Sequence, residues 1–334
     1  MRQRITAVVG AVALVVVVFA LNFYHLPVVA LSPGPAENVL SRITIQGGTQ
    51  VYDSKGKLYL TSVGIDDDVR FYEALLDLAN RDVELRPRAE LFPQGEGDDQ
   101  IDRENVELMD ESKTVAKVVA LRELGYQVKP SAVVVRDVVK GTPAVGRLEA
   151  GDRILQVDGH AVASIDQVRS AITSHHTGER VTFLVARDDT RTSVDVRVAA
   201  ADGQPRVGVE LSERYDNLPL KLTIETENIG GPSAGLMFAL SIIDRLTPAD
   251  LTGGRRIAGT GELSVDRGEV LPIGGVAEKL VAARRQGATI FLIPKDNCPD
   301  VHGRVPAGLR LVRVATVDDA LRFLRQPELP APDC

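Results

Sequence analysis

The chain has 334 residues, 44% of them hydrophobic and 25% charged, with a formal net charge of −7. That length allows two domains or three small ones, and the composition is that of a globular chain rather than a disordered one. The acidic balance, the absence of tryptophan and an aromatic content of 4% exclude nucleic acid as the main partner, because phosphate binding calls for a basic surface and base stacking for aromatic faces.

In chain order, Arg2 and Arg4 precede an uncharged apolar run from Ile5 to Phe23, about 19 residues, close to the ~20 that cross hydrocarbon as a helix. The expectation is an N-terminal transmembrane anchor over residues 1–30, with a cytoplasmic N-terminus and an extracytoplasmic catalytic domain, in a single-pass protein of the cell membrane. A cleaved signal peptide, with Val28 and Ala30 near the cut, is the competing reading. "LSPGPAEN" then reads as a Pro/Gly linker. "RITIQGG" and "GKLYLTSVGI" alternate like strands about a hairpin turn at "YDSKG". Helical spacing follows over Asp67–Asn80, a loop over Arg88–Asp102, and a helix over Glu111–Leu124 stopped by Gly125. From Gly125 to about Ala200 short strands surround one helix. From Arg206 on, strands alternate with helices at Ser233–Arg245, Val276–Gln286 and Val317–Leu324. The proline-rich last eight residues, 327–334, read as a loose tail. Cys298 and Cys334 are too few for a disulfide framework and lack metal-ligand spacing; one bridge and two free thiols both fit.

The segment Gly141–Val162, "GTPAVGRLEAGDRILQVDGHAV", followed by a helix and "GERVTFLVARD", resembles PDZ domains of the bacterial arrangement. That resemblance implies a domain over 125–202 that binds an extended peptide end as an added strand. Its carboxylate loop would be "LGYQV", with Leu124, Gly125, Tyr126 and Val128 as peptide-binding residues; a plain helix C-cap at Gly125 is the other reading. Asp152 and Asp158 read as turn-makers beside Gly151 and Gly159. His175 and His176 read as a solvated helix end.

The stretch "GPSAG" places Ser233 between a predicted strand and a predicted helix, the context of a hydrolase nucleophile. Two partners compete for its proton. His302, with Asp266, Asp296 or Asp300 ahead of it, would make a Ser-His-Asp triad. Lys279, in the second turn of "GGVAEKLVAARRQGA" and beside an apolar stripe, would act as base if burial lowered its pKa from about 10.4. "SKGK", Ser54–Lys57, fits S-x-x-K but reads as a turn rather than a helical turn. Arg206–Leu324 resembles the proteolytic domain of Lon proteases through "GGPSAG", "AGTGELSVDRGEVLPIGGVAEKLVAARRQG" and "FLIPKDN", in that order.

On that resemblance Ser233 is the nucleophile, Lys279 the general base and Thr260 the residue that positions the amine; Gly231 and Ala234 support the site and Glu262 is structural. Gly230 departs from the acidic residue usual there in Lon enzymes. No G-x-x-x-x-G-K-[ST] phosphate loop occurs, and the layout resembles bacterial membrane-anchored PDZ-containing Lon-like proteases. The expected fold is α+β: a transmembrane helix, then a PDZ domain inserted in or preceding a Lon-type α/β proteolytic domain. Residues 31–124 would complete the protease fold and 203–326 would form its main part. The expected function is an ATP-independent serine endopeptidase with no cofactor or metal. Its partners would be unfolded or flexible peptide segments and a homo-oligomeric, hexameric ring; a catalytically inactive PDZ adaptor is the alternative.

Overall fold

The computed structural model describes residues 25–80, 82–92, 98–188, 190–201, 203–226, 229–326, 328 and 334. The chain divides into two compact units, one of residues 126–219 and one that takes in the chain on both sides of it.

The larger unit begins with strands β1 (Val28–Asn38), β2 (Ile43–Gln46) and β3 (Lys57–Asp66), helix α1 (Phe71–Ala79), strand β4 (Glu84–Pro87) and the long helix α2 (Asp98–Glu123). The smaller unit follows with β5 (Ala132–Val138), β6 (Arg153–Val157), β7 (His160–Ala161), α3 (Ile165–Thr173), β8 (Arg180–Arg187), β9 (Thr190–Arg197), β10 (Ala199–Ala201), β11 (Gln204–Arg206) and β12 (Val209–Arg214). The larger unit resumes with β13 (Lys221–Ile224), α4 (Gly235–Leu246), β14 (Arg256–Gly259), β15 (Glu262–Leu263), β16 (Val270–Leu271), α5 (Val276–Arg285), β17 (Ile290–Pro294), β18 (Arg310–Val314) and α6 (Val317–Arg325).

The core of the larger unit is a six-stranded sheet in the order β18-β17-β14-β3-β1-β4, parallel from β18 to β3 and antiparallel beyond. "IFLIP" in β17 is buried at every position, as expected of a parallel strand covered on both faces. Side chains alternate across the pleat. Tyr59, Ala258 and Phe291 pack with Val276, Leu280 and Ala283 of α5. On the other face a Cβ at Gly259 would stand 2.7 Å from Met237 Sδ of α4. The sheet thus separates α4 from α5.

Three local expectations change. The presumed linker "LSPGPAEN" lies inside β1, which pairs with β3 through an irregularity between Pro33 and Ala36, the kind of place where a strand tolerates proline. The presumed hairpin at Ser54–Lys57 does not form: β2 pairs with β13 and β3 with β1 and β14. The loop expected over Arg88–Asp102 instead holds a helical turn at Arg88–Leu91, and α2 starts at Asp98.

The expected transmembrane helix, and with it the single-pass membrane topology with an extracytoplasmic catalytic domain, is corrected. Among the described residues no helix is long and apolar enough to cross a membrane, and residues 28–30 of the expected anchor belong to β1. The run Ile5–Phe23 lies outside the described residues. The tail, expected to be loose, is tied at its last residue by a disulfide between Cys298 and Cys334.

The smaller unit is an antiparallel sheet in the order β12-β5-β6-β8-β9, with β7 beside β6. Its core is Val133, Val135, Ile154, Phe183, Val185 and Val196, with Val168 and Ile172 from α3. β12, placed with the protease domain on sequence, pairs with β5 over Val209–Arg214.

Candidate active site

The serine turn runs from Ile229 to the start of α4. "GLMFALSII" is apolar all round, and each of its residues is buried, so the helix behind the turn is a core element rather than a surface one. The turn itself is pinned by its peptide groups. Gly231, at φ +82, donates its N–H to Asn105 O at 3.0 Å. Ser112 Oγ donates to Pro232 O at 2.9 Å. Ser233 O accepts from Gly261 N at 2.8 Å and from Thr260 Oγ1 at 3.1 Å. A Cβ at Gly230 would stand 2.8 Å from Asn105 Cβ, a physical reason for glycine at that position.

Lys279 comes from the other side of the sheet. Gly275, at φ +65, starts α5, whose Val276 and Leu280 sink into the core and carry Lys279 with them; the lysine is 3% exposed. Its Nζ lies 2.7 Å from Ser233 Oγ and 3.1 Å from Thr260 Oγ1. Burial alone pushes its pKa down to about 7, because a low-dielectric surrounding disfavours the ammonium form. The adjacent buried carboxyl, Glu278, pairs instead with Arg304 at 3.3 Å.

Thr260 follows β14 and is 1% exposed. Its single hydroxyl proton is committed to Ser233 O, so towards Lys279 it acts as an acceptor. A neutral amine held by that acceptor keeps its lone pair for the proton on Ser233 Oγ.

These groups open into a cleft of about 810 Å³, lined by Ser233, Ala234 and Lys279 and walled by Thr61–Ile65 of β3. β14 pairs with β3 only as far as Leu60, while β3 runs on to Asp66. The β14-side edge of residues 61–66 is therefore unpaired among the described residues. Gly231 and Ala234 shape the turn, and Glu262 also lines the cleft.

The other sequence candidates lie elsewhere. His302 is exposed and does not line this cleft, nor do Asp266, Asp296 or Asp300. Ser54 Oγ donates to Asp244, and Lys57 begins β3, so the S-x-x-K pair forms no site. Leu124 and Gly125 close α2, with Gly125 at φ +86 donating to Arg122 O at 2.9 Å. Tyr126 and Val128 lie in no strand. That segment caps the helix. Asp152 is buried against Arg187 at 2.7 Å. Sequence reasoning missed Asn105 and Ser112. A signal was present: Met109, Ser112, Ala116 and Val119 are buried at helical spacing, with one polar residue on the apolar face.

A serine on a turn ahead of a buried helix thus lies within hydrogen-bond reach of a desolvated lysine. Residues 225–325 match the Lon protease (S16) C-terminal proteolytic domain, and residues 107–198 match the PDZ domain. The Lon protease of Azospirillum brasilense is 46% identical over 95 residues, 28% of this chain and 11% of that protein. Lon protease 3 of Sorangium cellulosum is 31% identical over 206 residues, 58% of this chain and 24% of that protein. The PDZ domain of an SdrC-like protein from Listeria monocytogenes is 31% identical, with 26% of this chain and 93% of that domain covered and a TM-score of 0.24. The chain thus spans between a tenth and a quarter of the length of these curated relatives. It combines a Lon-type serine protease domain with a PDZ domain.

Proposed function

We propose that the chain is an ATP-independent serine endopeptidase in which Ser233 is the nucleophile and Lys279 the general base. The observation that carries this reading is the 2.7 Å approach of Lys279 Nζ to Ser233 Oγ by an amine whose pKa burial holds at about 7. In the first step neutral Lys279 takes the proton from Ser233 Oγ as the oxygen attacks the scissile carbonyl carbon. The carbonyl oxygen becomes an oxyanion. The N–H groups of Ser233 and Ala234, at the N-terminal end of α4, have no partner among the described residues and are placed by chain position to receive it. The lysine ammonium then returns the proton to the leaving amine as the C–N bond breaks, which leaves an acyl ester on Ser233. A water molecule, deprotonated by the same amine, cleaves that ester and restores the hydroxyl.

The unpaired edge of Thr61–Asp66 suits an extended substrate segment added as a strand. That geometry favours unfolded or flexible polypeptides. In the smaller unit, β12 carries a second free edge among the described residues. α3 is tied to it by Ile165 N–H donating to Glu213 Oε1 at 2.9 Å. That edge, rather than Leu124–Val128, is where the PDZ domain would take a peptide strand. A hexameric ring belongs to the same reading.

The test is cleavage of fluorescein-labelled casein without ATP by the full chain, beside Ser233→Ala, Lys279→Ala and His302→Ala, each checked for folding by circular dichroism. Loss in the first two with full activity in the third is expected. Activity surviving in Lys279→Ala and lost in His302→Ala would replace the lysine by a histidine base, and no activity from the parent chain would favour the adaptor.

A further inference from the structure

We propose that Ser112, in the middle of α2 and outside the cleft, is a positioning residue that aims the oxyanion donor on Ser233; this rests on the Ser233–Lys279 reading above. A trans peptide unit is planar, so its C=O and N–H point in opposite directions. The carbonyl of Pro232 and the N–H of Ser233 belong to one such unit. Ser112 Oγ donates to that carbonyl at 2.9 Å. The hydroxyl therefore holds the plane and directs the Ser233 N–H away from α2.

Two other peptide planes of the turn have backbone partners. Gly231 N–H is taken by Asn105 O, and Ser233 O is held by Gly261 N as well as Thr260. The Pro232–Ser233 plane has the Ser112 side chain as its partner among the described residues, and proline supplies no N–H for a second hold on the turn. Asn105 and Ser112 are seven residues apart, two helical turns, so one face of α2 supplies both bonds.

A mid-helix serine ordinarily turns back onto its own helix. Thr114 does so, donating to Asp110 O at 2.9 Å, whereas Ser112, 5% exposed, spends its proton on the turn. The reach depends on a bare neighbour: a Cβ at Gly235 would stand 3.2 Å from Ser112 Oγ. Small side chains on both partners bring α2 against the start of α4, and the hydroxyl turns that contact into a directional one.

An oxyanion donor acts in the transition state, so its misalignment lowers kcat and leaves ground-state binding alone. Removing one such donor costs roughly 10²–10³ in kcat; loosening its plane should cost about 10- to 100-fold. The experiment compares the full chain with Ser112→Ala and Ser112→Cys, the latter near in volume but a weak donor, and with Ser233→Ala and Lys279→Ala as controls. Initial rates on fluorescein-casein give kcat and apparent KM. A peptidyl boronic acid, which forms a tetrahedral adduct on a serine oxygen, reads the oxyanion site directly.

The expected result for Ser112→Ala is a kcat lowered about 10- to 100-fold, a KM within about twofold of the parent, and boronic acid affinity falling in step with kcat, with Ser112→Cys in between. The pH midpoint set by Lys279 should not move. A kcat within twofold of the parent in a folded variant overturns the proposal, and so does a fall in kcat with boronic acid affinity intact. Should Ser112→Ala not fold, Ser112→Cys carries the same two criteria. Activity in Ser233→Ala instead sinks the underlying nucleophile reading, so the two failures are distinct.

Discussion

The pH dependence of turnover follows directly from the position of Lys279. In the proposed role of general base it works in its neutral form, and burial pushes its pKa down to about 7. Activity should therefore rise with pH. With a midpoint of about 7, roughly one amine in eleven is neutral at pH 6, half at pH 7 and about ten in eleven at pH 8. kcat/KM should climb about tenfold between pH 6 and 8 and level off by pH 9. An exposed lysine, titrating near 10.4, would be about 0.1% neutral at pH 7.4 and would still be gaining activity tenfold per pH unit at pH 9. The two cases differ in shape as well as in rate. The assay is initial rates on fluorescein-casein from pH 5.5 to 9.5 at constant ionic strength, with a thermal midpoint at each pH to confirm that the chain is folded. The limb should also be insensitive to salt, because no carboxylate contributes to the shift and the amine is 3% exposed. A profile that is flat across pH 6–8, or one whose midpoint lies above pH 9, refutes the argument that desolvation prepares this lysine.

Three further outcomes follow from particular contacts. Thr260→Val removes the acceptor that holds Lys279 Nζ and the donor to Ser233 O; kcat should fall at least about tenfold and the pH midpoint should move down, since the ammonium form loses a partner. Cys334→Ser opens the loop closed by the disulfide over a separation of 36 residues. The chain-entropy argument puts the loss at about 4 kcal/mol, read as a thermal midpoint lower by several degrees and no longer sensitive to dithiothreitol. Asp244, 2% exposed, has its carboxyl pushed up to about 6, chiefly by burial, while its Oδ1 accepts Leu251 N–H at 2.7 Å. Its folded pKa lies above the unfolded value of 3.8, so its stabilising contribution is complete below pH 3.8 and is lost as pH rises through about 6. Asp244→Asn should be more stable than the parent by about 1.5 kcal/mol at pH 5 and about 3 kcal/mol at pH 7.5, and denaturant melts at the two pH values would show no such gain if the reasoning is wrong.

What the sequence makes legible is chemistry carried by short, local patterns. Ser233 stands between a strand and an apolar run, and Lys279 flanks a helical stripe; both patterns are set by residues within two turns. What it hides is pairing across distance. β2 and β13 are separated by more than half the chain yet form one ladder, and neither segment carries a mark of its partner. β12 reads as the start of the protease because the glycine-aspartate signature of the PDZ domain ends well before it, while its partner β5 lies on the far side of the whole unit. "LSPGPAEN" reads as a linker because Pro and Gly usually break strands. Here a Cβ at Gly34 would stand 2.7 Å from Ser62 Oγ, so glycine is what lets β1 approach β3. The charged first half of α2 lacks the apolar stripe that announces a helix, and Asn105, which braces the serine turn through its backbone, has no side-chain signature to read.

The lysine at the centre of this site also bears on stability, and the sign of its effect fixes where the enzyme can work. Its folded pKa of about 7 lies far below the value of 10.5 expected in the unfolded chain. Between those values the unfolded chain binds more protons, so stability rises with pH across that window and the full cost is felt at and below pH 7. At 1.36 kcal/mol per pH unit that cost is of order 5 kcal/mol, a large part of the 5–15 kcal/mol that holds a typical domain folded. It has to be offset by elements that do no chemistry, namely the buried run Gly235–Asp244 of α4, the uniformly buried β17 and the α5 face that packs on Tyr59 and Phe291. Replacing Lys279 by methionine, which keeps most of the volume and removes the charge, should therefore abolish cleavage and raise the thermal midpoint at pH 7, with the gain shrinking towards pH 10. A variant both inactive and no more stable at pH 7 would mean that the amine is not desolvated in the folded chain, and the case for its readiness as a base would fall with it.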